Sequence, residues 1–268
     1  TAKTLLLYSY TNCTIIQPKT VIIDRVNCGG KMNRTSWIVI VVLCVVGLGG
    51  LIYMNKGGGI NVDDVNPISL ISSTDEALGD NVYGNRNAKV VLFEYADFQC
   101  PGCGAANQNI PKIKDLYKDK VAFVFRNYPL VSIHPNALAA ASAVEAAGIQ
   151  GKYWEMHSIV FTNQSQWSSQ TAENRGRVFD SFATQLGLDM NKFKEDMAAA
   201  KVQKKIETDM AIGGKVGVSG TPTFFIGDKE LGKDIVDDIL TSGGGTKMMD
   251  SLDQALKDAS ETPPERAS

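Results

Sequence analysis

Residues Val90 to Ala96 read Val-Val-Leu-Phe-Glu-Tyr-Ala, a β-branched and aromatic run that is nearly all apolar. That pattern predicts a central strand buried on both faces, the kind that parallel sheets use. The run passes into Asp97-Phe98-Gln99-Cys100, after which Ala106, Ile110, Ile113 and Tyr117 recur at helical spacing. A helix is therefore expected from near Cys100 to near Lys118, kinked where Pro111 removes a backbone bond. Val121 to Tyr128 reads as a second strand. Strand, helix, strand in this order predicts a right-handed parallel crossover, so the chain is expected to fold as α/β.

The remaining elements fill in around that unit. Pro135 to Ala147 is Ala-rich with Pro in its first turn, and Tyr153–Phe161, Arg177–Leu186, Met190–Ala199 and Val202–Val216 also read as helices. Gly217 to Ile226 reads as a turn followed by a strand, Gly227-Asp228-Lys229 as a hairpin tip, and Met248 to Ala259 as a closing amphipathic helix. The expected architecture is a mixed sheet with a helical block at about 135–216, inserted between its strand pairs, within a domain spanning 81–262.

Upstream, Trp37 to Met54 runs for 18 residues without a charge. As a helix it would be about 27 Å long, close to the hydrocarbon thickness of a bilayer. Trp37 and Tyr53 sit where amphipathic rings suit the interface. The run is longer than a signal-peptide core, and Gly47 to Gly50 lie inside it. An uncleaved transmembrane anchor is expected, with a cleaved signal as the alternative. Lys3, Lys19, Arg25, Lys31 and Arg34 precede it, which orients the amino end to the cytoplasm and places the large C-terminal part outside the cell. Met32-Asn33-Arg34 reads as a natural signal-anchor start. Residues 1–36 are thus expected to be a tail without a fold of its own, or else a short cytoplasmic tail. Residues 55–80, with Gly-Gly-Gly, Asn, Asp, Pro and Ser, read as a flexible linker.

Composition narrows the chemistry. Net charge is −2 over 268 residues, with no strongly basic stripe, so nucleic acid is not expected as a main partner. Of five cysteines, the stretch after residue 60 holds only Cys100 and Cys103. Cys100-Pro101-Gly102-Cys103 falls where the buried strand hands over to the helix. Residues three apart in a first helical turn have Cβ atoms about 5–6 Å apart, so a disulfide forms there with little adjustment. It would close almost no loop and add little stability, which suits a bond that is made and broken. A thiolate at Cys100 faces the unpaired N–H groups and the positive dipole end of the helix. Pro101 tolerates the first helical position and Gly102 adds no side chain, so the Cys100 sulfur is expected to be accessible and to attack. Cys103, one turn deeper, is expected to be shielded and to resolve. A zinc site needs four ligands. The chain offers this one pair and two histidines, His134 and His157, distant in sequence, so a metal-binding module is the rival from another class.

Leu92–Cys103 (LFEYADFQCPGC), Phe123–Pro129 (FVFRNYP), His134-Pro135, Gly151–Phe161 (GKYWEMHSIVF) and Gly217–Phe225 (GVSGTPTFF) together resemble the thioredoxin-fold, DsbA-like disulfide oxidoreductases, especially the membrane-tethered forms with a Cys-Pro-X-Cys centre. The resemblance covers about Val82 to Ala259. It implies a thioredoxin-like mixed sheet with an inserted helical subdomain, here behind one N-terminal transmembrane helix. It implies a cis peptide at Thr221-Pro222 beside the cysteines, where an ordinary turn is the alternative. The Thr221 backbone would then pair with an extended substrate peptide. Glu94 aligns with a buried acid six residues before the first cysteine. Burial would raise its pKa and let it pass a proton to or from Cys103, unless it is a strand-end carboxylate reaching solvent.

The activity implied is an extracytoplasmic thiol-disulfide oxidoreductase that forms disulfides in secreted proteins. Its partners would be reduced secreted substrates and a quinone-linked membrane oxidase that restores the disulfide, and no bound cofactor or metal is called for. A reductase or isomerase on the same site is the rival within the class. The best-known oxidases carry Pro-His between the cysteines, and Gly102 removes that stabiliser. His134, Trp154 and His157 fall in matching segments and are expected to serve packing or capping.

Overall fold

Val90–Ala96 and Val121–Asn127 pair in parallel, from Val90 opposite Val121 to Ala96 opposite Asn127. They are β2 and β3 in a computed structural model that describes residues 60–75 and 77–266. β1 (Val82–Gly84) lies antiparallel on the far side of β3. β4 (Thr223–Ile226) runs antiparallel to β2, and β5 (Lys229–Glu230) completes a hairpin with it. The sheet order is β1-β3-β2-β4-β5. Every residue of β3 and all but Val91 of β2 are buried, as the apolar runs required.

Alternation along β2 sends its side chains to two different cores. Val90 and Leu92 pack with Phe123 and Phe224 against α1 (Pro101–Ala106), α2 (Ile110–Tyr117) and the C-terminal helices. Phe93 and Tyr95 pack with Val124, Phe225, Ile212 and Val218 on the opposite face. Glu94 shares the parity of Leu92, so it enters the face that α1 and α2 cover. The helical block comprises α3 (Ala137–Ile149), α4 (Tyr153–Thr162), α5 (Gln164–Trp167), α6 (Ala172–Gln185), α7 (Met190–Met197) and α8 (Ala200–Lys215). Its core of alanines, aromatics and Val202 and Ile206 is continuous with Phe98, Cys103 and Phe125. α9 (Lys233–Leu240) and α10 (Thr246–Asp258) close the fold. The mixed sheet with an inserted helical subdomain is thus the one expected.

Three features depart from the sequence reading. The helix after Cys100 is not one kinked rod. It stops at Ala106 and restarts at Ile110, with Pro111 in the first turn of α2, where a missing N–H costs nothing. β1 and α9 were not expected: β1 is only three residues long and half-buried, whereas in α9 Ile235, Val236, Ile239 and Leu240 do recur at helical spacing.

The third departure is the linker. Residues 60–80 lie on the domain. Val62 is buried, and Ile60, Val65, Leu70 and Ile71 pack against the Phe93 face. Lys215 Nζ donates to the carbonyls of Val62, Asp63 and Val65 at 2.9, 2.7 and 3.1 Å. Arg126, fully buried, donates to the carbonyls of Pro67 (2.6 Å) and Ser69 (2.9 Å) and pairs with Asp80 at 3.0 Å. Lys205 bridges Asp80 (3.0 Å) and Asp209 (2.5 Å). Backbone carbonyls do this anchoring, and their partners lie more than 50 residues away, so polar composition read as flexibility where there is a buried network. The tail at 1–36, the anchor at 37–54 and the linker's first residues lie outside the described residues. Among the described residues no helix is long and apolar enough to cross a membrane.

Candidate active site

β2 ends at Ala96, and Asp97 turns the chain into α1. The Asp97 carboxylate accepts the Gln99 N–H at 2.7 Å, and the Asp97 carbonyl accepts the Cys100 N–H at 3.1 Å. Cys100 is the N-cap residue and Pro101 follows in the first turn, as its missing N–H permits. The second Asp97 oxygen holds the loop after β3, accepting the Leu130 N–H at 2.8 Å and meeting His134 Nδ1 at 2.7 Å. His134 therefore braces this turn from outside.

The two sulfurs sit in unequal environments. Cys100 is half-buried and Cys103 has no exposed surface. Both are free thiols. The Cys103 thiol donates to Cys100, and the Thr221 side chain and the N–H groups of Cys103 and Gly102 add to this. Against burial, these bonds hold the Cys100 pKa well below the ordinary thiol range, at about 5. That lies within the span of Cys-X-X-Cys thiols. Burial pushes Cys103 well above the ordinary value, and the neighbouring Cys100 pushes it further. The Asp97 N–H reaches the Cys103 sulfur at 3.5 Å.

Thr221-Pro222 is a cis peptide, and the Thr221 carbonyl lies 3.5 Å from the Cys100 sulfur. A Cβ built on Gly102 would meet Pro222 Cδ at 3.5 Å and the Cys100 sulfur at 3.7 Å, ordinary contact distances. Cys100, Pro101, Gly102, Cys103, Thr221 and Pro222 thus come together across about 120 residues of sequence.

Glu94 lies behind them and is buried rather than solvent-reaching. Desolvation raises its pKa to about 7, against the pull of Lys114. Lys114 is itself buried. Desolvation lowers its pKa to about 8, against the charge of Glu94. Its Nζ sits 4.1 Å from the centre of the Trp154 ring and 4.9 Å from that of Tyr83, where the negative ring faces favour a cation. Sequence reasoning missed Lys114, although a signal existed: it stands four residues after Ile110, on the apolar side of α2. His157 is fully buried among Phe98, Phe125, Trp154 and Phe161, and burial drives its pKa far down, so it packs as a neutral ring. Among the described residues no group of three or more His, Cys, Asp or Glu gathers as a metal site would require.

Comparison with known proteins agrees with this arrangement. The family model for thioredoxin matches residues 76–242. A thioredoxin-like oxidoreductase from Silicibacter pomeroyi is 26% identical, with a TM-score of 0.53 over 66% of this chain and 92% of that one. BdbD from Bacillus subtilis (TM-score 0.56, 24% identity, 66% and 93% covered) and α-DsbA1 from Wolbachia pipientis (0.54, 24%, 67% and 92%) share the fold. Among curated proteins, Na(+)/H(+) antiporter NhaA 1 of Salinispora arenicola is 39% identical over 149 residues, and NhaA 3 of Salinispora tropica 40% over 149. Those stretches are 55% of this chain but 21% of the relatives, so the match spans about a fifth of their length. The chain belongs to the thioredoxin family, and the α-DsbA1 and BdbD structures share its fold.

Proposed function

We propose that this protein exchanges thiols and disulfides in the oxidising direction outside the cytoplasm, forming disulfides in secreted proteins. The observation that carries the reading is the inequality of the two sulfurs: one half-exposed and acidic, the other buried and reluctant to ionise. In the oxidised enzyme a substrate thiolate attacks Cys100 Sγ, the Cys100–Cys103 bond breaks, and Cys103 leaves with the electron pair. Cys103 then takes up a proton. Glu94, whose carboxyl keeps its proton up to about pH 7, is the group placed to supply it, through an intervening water. The substrate's second thiol, as a thiolate, attacks the substrate sulfur of the mixed disulfide and expels Cys100. Cys100 is a good leaving group because its anion is stabilised. Substrate dithiol has become disulfide and the enzyme disulfide has become dithiol.

The Thr221 backbone, beside Cys100, pairs with the extended substrate chain. A quinone-linked membrane oxidase takes the two electrons and restores the disulfide, as the resemblance implies, and residues 37–54 tether the domain to the same membrane. Cation antiport, the activity named for the curated relatives, is not carried over to this chain, because the match covers a fifth of their length.

Gly102 favours a second reading. Without a cation between the cysteines the pair is less oxidising than it could be, and about 30 mV is worth about 1.4 kcal/mol, so a reductase or isomerase uses the same site. Equilibration with glutathione separates the two. A potential near about −120 mV supports the oxidase and one near about −270 mV the reductase. No exchange at all, or exchange that survives Cys100→Ser, overturns both.

A further inference from the structure

Gln164 opens α5, in the helical block, 64 residues from Cys100. Its side-chain amide reaches across to the turn between β2 and α1. Nε2 donates to the Phe98 carbonyl at 2.7 Å and to the Cys100 carbonyl at 2.9 Å. Both amide hydrogens are used, and two carbonyl acceptors fix which way the amide faces. The Cys100 carbonyl also receives the Gly104 N–H at 3.1 Å, the first bond of α1.

Gly104 shows how closely the amide is seated. A Cβ there would lie 2.9 Å from Gln164 Oε1 and 3.2 Å from Cδ and Nε2. The absent side chain is the space the amide occupies. Between the two gripped carbonyls, Gln99 extends the attachment. It donates to the Ser168 carbonyl at 2.7 Å and accepts the Asn136 N–H at 2.6 Å.

This matters because no side-chain bond caps α1. Helix starts usually have a Ser, Thr, Asp or Asn side chain bonding the first-turn N–H groups, which also sets the angle of entry. Here a sulfur stands at that position and makes no such bond, so no local bond fixes how it faces the first-turn N–H groups. The entry angle must be held from somewhere else. We propose that Gln164 is a positioning residue for the dithiol: its amide grips the carbonyls of Phe98 and Cys100 and so keeps the Cys100 sulfur facing the first-turn N–H groups of α1. Gly104 is its structural counterpart. The inference rests on the redox reading of the site for its consequence, but the grip itself is measurable without it.

Two variants of the full chain perturb the grip from opposite sides. Gln164→Ala deletes the amide. Gly104→Ala leaves the amide in the sequence but displaces it, while alanine favours the helix more than glycine does. The pH dependence of Cys100 alkylation in the reduced protein reads the sulfur directly. In both variants the Cys100 pKa is expected to rise. The glutathione equilibrium is expected to move toward the oxidised enzyme by about three- to tenfold, the worth of a neutral hydrogen bond. The double variant is expected to move little further than the larger single one, because both remove the same contact. Circular dichroism checks that each variant is folded, and Gly104→Ala decides the matter if Gln164→Ala is not. An unchanged Cys100 titration in a folded Gly104→Ala protein overturns the proposal, as does full additivity. Failure of the redox reading looks different: wild-type protein that does not exchange with glutathione, whatever the alkylation profile of the variants.

Discussion

Replacing Glu94 by Gln should make this protein more stable in mild alkali, the opposite of what deleting a buried ion usually does. Burial raises the Glu94 carboxyl from 4.5 to about 7. A carboxyl whose folded value lies above its unfolded value contributes stability below the unfolded value and loses it as pH rises through the folded one. At about 1.4 kcal/mol per pKa unit, holding Glu94 ionised in the fold at pH 8 costs about 3 kcal/mol relative to the unfolded chain. Gln keeps the shape and never ionises. Part of the gain is returned, because the Glu94 charge is what holds the Lys114 pKa as high as about 8. The expected net gain is about 2–3 kcal/mol at pH 8, falls to about 1 kcal/mol or less at pH 5, and vanishes below the unfolded value of 4.5. Urea unfolding of the reduced full chain at the two pH values, followed by tryptophan fluorescence, measures it. Equal stability of the two proteins at pH 8, or a less stable Gln variant, refutes the burial argument. The same variant tests the proton route: the pH profile of exchange should lose its inflection near about 7, and an unchanged profile removes Glu94 from the mechanism.

Gly102→His should lower the Cys100 pKa further and shift the glutathione equilibrium about tenfold or more toward a stronger oxidant, since a charged hydrogen bond to the thiolate is added at a position where a Cβ meets only ordinary van der Waals contacts. Unchanged titration would mean the ring does not reach the sulfur. Cys103→Ser should accumulate a mixed disulfide on Cys100 that Cys100→Ser cannot form, read by mass spectrometry after mixing with a substrate peptide disulfide; the reverse pattern exchanges the two roles. Lys205→Met should destabilise the domain by about 3–5 kcal/mol at pH 7, because Asp80 and Asp209 lose a buried counter-ion. Against burial, Lys205 and Arg126 hold Asp80 at about 2, so the loss should shrink as acid protonates these carboxyls in the variant. A loss that is small at pH 7 would show the network to be dispensable.

Much of the fold was legible because its strongest signals are local. The parallel β2–β3 pair follows from two apolar β-branched runs, and the helical block follows from long periodic segments. Illegible elements were those whose stability comes from partners elsewhere. Residues 60–80 set their apolar side chains at no regular period, and what holds them is packing on the Phe93 face together with Arg126, Lys205 and Lys215, which bond to their carbonyls and to Asp80. The break between α1 and α2 shows the same limit. Pro111 announces an interruption, but whether it kinks a helix or starts a new one depends on Asn109, whose side chain donates to the carbonyls of Ile239 and Thr241 at 2.8 Å each.

At the site, the sequence alone determined the cysteine pair, the strand-to-helix turn that carries it, and the order in which the sulfurs are exposed. Those properties follow from residue spacing on one helical turn. Tertiary structure decided the rest. It set Thr221 beside Cys100, Lys114 opposite Glu94 and the Gln164 amide on the turn itself. It also turned two chemically identical thiols into an acid and a buried reserve. The physical reason is that acidity depends on burial and on the hydrogen bonds within a few ångströms, and those neighbours are brought in from segments that spacing along the chain does not relate.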